Sequence, residues 1–177
     1  CLRRFLRERE RLLKNLKPHE QVSLPLWLYN KQTRQHPDLH LTVAYAPFIS
    51  LVLIPSIEPH AYIKKLKEHG VQGKQHSKHP HVILIPPCPV QRLPGYKEGH
   101  FYVQDFGALK ATDGLPIKKG NTVLDACAAP GGKSIWLALK GAEVHAVDSS
   151  EKRMERFHEN QSRMRLHITP FIRDILD

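Results

Sequence analysis

Apolar residues recur at Leu2, Phe5, Leu6, Leu12, Leu13 and Leu16, the spacing of one face of a helix, and Pro18 stops the pattern. The stretch "LPLWLYNKQTRQHP" predicts a second, short helix in which Trp27 and Leu28 are core anchors. From Pro47 the pattern changes. "PFISLVLIP" is an apolar run that reads as a buried strand, and "EPHAYIKKLKEHG" reads as a helix with Pro59 in its first turn and Gly70 as its cap. "HVILIPP" is another strand, which completes a small β-α-β piece between residue 47 and about residue 95. The Pro- and Gly-rich "PPCPVQRLPGYKEGH" marks a seam.

Beyond the seam, "FYVQDFGALKA" predicts a short strand leading into a helix. Then follow a strand Thr122–Asp125, a helix Gly132–Lys140 capped by Gly141, a strand Glu143–Val147, a helix Glu151–Met164 and a strand His167–Ile172. Met154, Phe157 and Met164 form the apolar stripe of the last helix and belong to the core. Strands alternating with helices indicate an α/β fold of parallel units with right-handed crossovers. The expected organisation is a basic helical segment over 1–46, a small α/β subdomain with its linker over 47–100, and a parallel-sheet region over 101–177. Ligands in such sheets sit outside the carboxyl ends of the strands, where "ACAAPGGK" and Asp148 both fall.

Charge adds a partner to this picture. The 177 residues carry 27 Lys and Arg against 17 Asp and Glu, a net +10, which points to a polyanion such as nucleic acid. Arg3, Arg4, Arg7, Arg11 and Lys14 share the polar face of the first helix. They form either a solvated surface paired with Glu8 and Glu10 or a phosphate-contacting face, and the pattern leaves both open. No stretch reaches the roughly 18 apolar residues of a membrane span, and there is no signal-peptide pattern. The three cysteines lack paired or metal-type spacing, which suits a reducing cytoplasm. "HSKHPH" groups His76, His79 and His81, yet no cysteine or carboxylate accompanies them, so the segment reads as an exposed basic loop and no metal site is expected. The first residue is a cysteine inside a helical pattern and the last residues follow a strand, so both ends read as cut from something longer.

The loop in "VLDACAAPGGKS" joins a strand to a helix start, whose free N–H groups favour a charged ligand. A phosphate-binding loop would need G-x-x-x-x-G-K-[ST]. Gly132, Lys133 and Ser134 fit that pattern, but Cys127 replaces its first glycine and Pro130 removes an N–H from the nest. Asp148 ends the next strand, where a carboxylate can accept hydrogen bonds from ribose hydroxyls. Its bland alternative is a helper to the helix cap beside Ser149 and Ser150. Backbone N–H groups with a ribose-type acid suit an adenosine cofactor bearing an amino-acid tail, and S-adenosylmethionine fits that description.

"VLDACAAPGGKS" followed by "VHAVDSS" closely resembles the cofactor motifs of the Sun/NSUN family of RNA cytosine-C5 methyltransferases. "PCPVQRLPGYKEGHFYVQDFGA" resembles that family's join between RNA-binding and catalytic parts, and "LPLWLYNK" resembles its bacterial branch. The resemblance implies a Rossmann-like S-adenosylmethionine-dependent domain of which the first three strands are present. It also implies ribosomal RNA as substrate. It puts the cofactor loop on Cys127, Ala128, Ala129, Pro130, Gly131, Gly132 and Lys133, the ribose acid on Asp148, and an acid near the adenine on Asp174.

Methylating C5 of cytosine calls for covalent catalysis, because that carbon is a poor nucleophile. A thiolate adds to C6, C5 then attacks the sulfonium methyl, and a base removes the C5 proton. Enzymes of the family that it resembles take the thiolate from a Thr-Cys motif on a late strand, and a second cysteine, in a Pro-Cys motif after the fourth strand, assists release. Neither stands at those places here. Cys88 of "PPCP" lies in the linker, and Cys127 is expected as a small packed residue of the cofactor loop. No catalytic residue is therefore assigned, and the chain alone is expected to be inactive. A non-catalytic RNA-binding module and a phosphate-loop NTPase stand as alternatives.

Overall fold

The computed structural model describes residues 14, 16–21, 24–37 and 48–176. The chain divides into two compact units, Cys1–Pro47 and Phe48–Asp177. In the first, α1 (Pro18–Gln21) and α2 (Leu26–Gln35) are described. Arg3, Arg4, Arg7 and Arg11 lie outside the described residues, whereas Lys14 is exposed. The expectation for Trp27 is corrected: its side chain is 67% exposed, and Leu28 is only half-buried. Consecutive helix positions point about 100° apart, so Leu26, Trp27 and Leu28 cannot share one buried face.

The second unit begins with β1 (Ile49–Leu53), α3 (Pro59–Glu68), β2 (Lys74–His76), β3 (His79–Ile85) and β4 (Phe101–Val103). These strands form one antiparallel sheet in the order β2-β3-β1-β4. Leu51 stands opposite Ile83 on one side and Val103 on the other, while Val52 stands opposite Val82 and Tyr102. Successive strand residues point to opposite faces, and here both faces are covered. Leu51, Leu53, Ile83, Ile85 and Phe101 pack with Tyr62 and Leu66 of α3 and with Leu93. Val52, Val82 and Tyr102 face the other way and join the larger core. That double burial is why the β1 and β3 sequences run apolar without alternation.

The remaining elements are α4 (Phe106–Asp113), β5 (Thr122–Asp125), α5 (Gly132–Leu139), β6 (Glu143–Asp148), α6 (Glu151–Met164) and β7 (Thr169–Ile172). β5, β6 and β7 pair in parallel in that order, the opening βαβαβ of a Rossmann-like sheet. Leu109 of α4, Ile135 and Leu137 of α5, and Met154, Phe157 and Met164 of α6 share the core with Val144 and Ala146 of β6. The expected stripe of α6 is thus buried. The strand beyond it opens at Thr169, two residues later than the apolar pattern suggests.

Two features depart from the sequence reading. "GKQHSKHPH" is not an exposed loop but the hairpin β2–β3, with a register shift between Gln75 and His76. The His76 ring lies 3.8 Å from that of Phe106, and His79 meets Trp136 edge-on at 5.7 Å. No turn glycine announces this hairpin; packing against α4 and α5 supplies what the local sequence does not. In addition, "FYV" is laid down as an edge of the upstream sheet, hydrogen-bonded to β1.

The linker is held by named groups. Tyr62 Oη donates to the Pro94 carbonyl at 2.9 Å, and Tyr96 Oη donates to Glu159 at 3.0 Å. The Arg163 guanidinium donates to the carbonyls of Tyr96 (3.2 Å) and Phe101 (2.7 Å) and lies over the Tyr96 ring. Gly99 has φ +72°, and a Cβ there would run into the Arg163 carbonyl and the Met164 Cα. Gly99→Ala therefore combines left-handed strain with a backbone collision and should destabilise the fold by about 3 kcal/mol. A thermal melt should show the midpoint falling by about 6–12 °C; an unchanged midpoint would mean that this close approach is absent.

Candidate functional site

The loop between β5 and α5 is fixed at several points along its length. At its start, Asp125 is buried and accepts from the Ser134 hydroxyl at 2.7 Å and from the Cys127 N–H at 3.4 Å. One carboxylate thus joins the end of β5 to the first turn of α5. In mid-loop, the Ala128 N–H donates to the Val147 carbonyl at 3.0 Å, and the Ala129 N–H donates to Asp148 Oδ2 at 3.2 Å. Asn160 of α6 donates to the Pro130 carbonyl at 3.0 Å and also holds Arg163, so the linker clamp and the loop share one helix. Gly131 has φ +109° at the N-cap of α5. A Cβ on Gly132 would occupy the place of the Gln104 carboxamide.

Loop N–H groups are largely consumed inward. Those of Cys127, Ala128, Ala129 and Gly131 bond to Asp125, Val147, Asp148 and Ala128 respectively, and Pro130 has none. The first closed helical bond of α5 runs from Ile135 N–H to the Gly131 carbonyl. The N–H groups of Gly132, Lys133 and Ser134 therefore precede it, at the positive end of the helix. Beside them lies a cleft of about 210 Å³ lined by Val103, Gln104, Asp105, Ala128, Ala129, Pro130, Gly132 and Lys133.

Asp148 closes β6. Its Oδ1 accepts from the Ser150 N–H (3.0 Å) and from Arg153 Nη2 (2.7 Å), while its Oδ2 takes the Ala129 N–H. Burial pushes the carboxyl up, but the two backbone N–H groups and the Arg153 guanidinium outweigh it and hold the carboxyl below its usual value. The ribose-acid position and the cap-helper position are thus the same residue, since Ser150 is the N-cap of α6.

The structure brings Asp148 and the loop Cys127–Lys133 together. Asp174 is exposed, its Oδ1 accepts from the Leu176 N–H, and it borders a separate hollow with Leu124, His145, Val147 and Phe171. Its neighbour Arg173 ties back through a backbone bond to the Asp148 carbonyl at 3.2 Å. Cys127 is corrected: its side chain is exposed rather than packed, because the Asp125 bond fixes its backbone at the outer bend of the loop. Cys88 packs with the α3-side core. Among the described residues, no group of three or more His, Cys, Asp or Glu is placed to hold a metal ion, and no helix is long and apolar enough to cross a membrane.

Sequence reasoning missed Asp125, Ser134, Gln104, Arg153 and Asn160. Asp125 and Ser134 lie within the contiguous stretch Val123–Ser134, where their residue types are the signal. Gln104 and Asn160 carry no local signal, since their partners lie about 30 residues away.

Residues 113–175 match the family model described as 16S rRNA methyltransferase RsmB/F. A ribosomal RNA small subunit methyltransferase B from Pasteurella multocida is 33% identical over 95% of this chain, which spans 39% of that relative's length. A solved structure of a methyltransferase homologue from Pyrococcus horikoshii superposes over 91% of this chain and 58% of its own, with a TM-score of 0.68 at 20% identity. The crystal structure of NSun6 from the same organism with SFG superposes over 85% of this chain and 65% of its own, with a TM-score of 0.67 at 13% identity; both likenesses concern the fold. Together with the parallel β5-β6-β7 sheet and its tied loop, these matches make the chain similar, over part of its relatives' length, to the 16S rRNA methyltransferase RsmB/F family.

Proposed function

We propose that this chain carries the cofactor-binding part of an S-adenosylmethionine-dependent methyltransferase that acts on C5 of a cytosine in ribosomal RNA. The observation that carries the reading is the bond between the Ala129 N–H and the buried Asp148 carboxylate. It brings a helix start with free N–H groups and a ribose-type acid to the carboxyl end of one parallel sheet. The residues fit an adenosine cofactor with an amino-acid tail. The first-turn N–H groups of α5 suit its carboxylate, Asp148 suits a ribose hydroxyl, and Asp174 is assigned to the adenine side. When bound, the cofactor supplies an electrophilic methyl on its sulfonium.

A triphosphate suits the site less well, because the N–H groups of residues 127, 128, 129 and 131 already have partners and cannot form a phosphate nest. We assign no nucleophile to this chain. Cys88 belongs to the α3-side core, and Cys127 is held by the loop it helps to shape. The role we assign to 101–177 is cofactor binding; to 1–46 and 47–100 it is contact with RNA, with Arg3, Arg4, Arg7, Arg11 and Lys14 as phosphate contacts. Cytoplasmic RNA is the natural partner of a chain with net charge +10.

Two measurements test the reading. Calorimetry should detect S-adenosylhomocysteine binding that weakens about 10- to 100-fold in Asp148→Ala, the loss expected when a charged acceptor is removed. Equal affinity in both proteins would remove Asp148 from the site. RNA affinity should fall roughly tenfold or more between about 50 and 200 mM salt, as phosphate contacts release counterions. Salt-insensitive binding would exclude the proposed phosphate contacts.

A further inference from the structure

We infer that Arg153 is a latch over Asp148: its guanidinium covers the carboxylate that binds the cofactor's ribose, and must leave it for the ribose to enter. This inference rests on the proposed role of Asp148. The Asp148 side chain is only 1% exposed, whereas that of Arg153 is 53% exposed. Three donors surround the carboxylate, and two of them are backbone N–H groups, of Ala129 and Ser150, fixed by the loop and by the start of α6. Arg153 Nη2, at 2.7 Å from Oδ1, is the one of the three that a half-exposed side chain supplies. A carboxylate offers about four acceptor sites, so the electronic capacity for a hydroxyl exists and access is what is lacking.

The swing has somewhere to go. Arg153 borders a hollow of about 370 Å³ that it shares with Pro130, Lys152, Glu155 and Arg156. Pro130, in its lining, connects the hollow to the cofactor loop. Helix preference does not explain an arginine at this place. Arg153 is the third residue of α6, where its N–H is capped by Ser150 Oγ at 3.3 Å and where a capping box would place Glu or Gln. A cation in the first turn also opposes the helix dipole. Asp148 instead takes the Ser150 N–H that such a Glu would have taken, and the arginine compensates the charge of that buried acid.

A latch competes with the ligand, so its removal strengthens binding; a purely structural arginine would weaken binding when lost. Calorimetry with S-adenosylhomocysteine on the chain, Arg153→Met, Arg153→Lys and Asp148→Ala separates these outcomes. Arg153→Met should bind about fivefold more tightly than the parent, the upper range for releasing a partly exposed ion pair. Arg153→Lys should fall between them. Raising salt should strengthen parent binding by loosening the pair and leave Arg153→Met unchanged, since the ligand has no net charge. Arg153→Gln, which keeps a polar side chain without the charge, carries the same expectation should the methionine variant fail to fold. Equal or weaker binding by the uncharged variants, with Asp148→Ala still impaired, overturns the latch and leaves the ribose assignment standing. No binding by the parent overturns both.

Discussion

Two carboxylates at the ends of neighbouring parallel strands govern this structure. Asp125 holds both ends of the β5–α5 loop, through the Cys127 N–H and the Ser134 hydroxyl, while Asp148 holds its middle through Ala129. Parallel pairing makes this possible: Asp125 stands opposite Ala146 and Asp148 opposite Ile172, so successive strand ends climb across the sheet and place their acids under one loop. A buried carboxylate tolerates its position only while donors satisfy it. Here the donors come from the loop itself, so the loop's shape and the acids' burial sustain each other.

A second set of contacts attaches this loop to the rest of the unit. Arg163 satisfies the Tyr96 and Phe101 carbonyls and shares Asn160, which in turn holds the Pro130 carbonyl. One helix, α6, therefore carries the linker on one end and the β5–α5 loop along its face. Gln104 performs the matching task from the upstream sheet, entering at β4 and closing against Gly132. The antiparallel sheet and the parallel sheet consequently act on the same loop. A segment resembling a connector in composition is a packed structural part, which is why Gly99 must lack a side chain.

The chemistry that this arrangement favours follows from where N–H groups remain free. A loop whose N–H groups all pointed outward would be an anion nest for phosphates. This one turns them toward two acids and a strand carbonyl, leaving the N–H groups of the first turn of α5, which precede its first helical bond, as the remaining donors. A modest negative charge such as an amino-acid carboxylate suits that remainder, and the cleft of about 210 Å³ beside it is walled by apolar and small residues as well as Gln104, Asp105 and Lys133.

The sequence by itself determined the order of strands and helices from β1 onward apart from β2, the α6 stripe and the loop with its companion Asp148. Those features rest on local periodicity, on glycine and proline chemistry, and on a motif that is contiguous along the chain. Tertiary structure alone decided the rest. His76 and His79 became a packed hairpin because Phe106 and Trp136 came to meet them, not because of any turn signal. Trp27 stayed outside, 67% exposed, although the local pattern reads as a core anchor. Gln104, Asn160 and Arg163 acquired their roles only through partners distant in the chain, and no local pattern records such pairings. The pairing of Arg153 with Asp148 spans only five residues. Even so, it needed the start of a helix set against a strand end to turn an ordinary surface cation toward a buried acid.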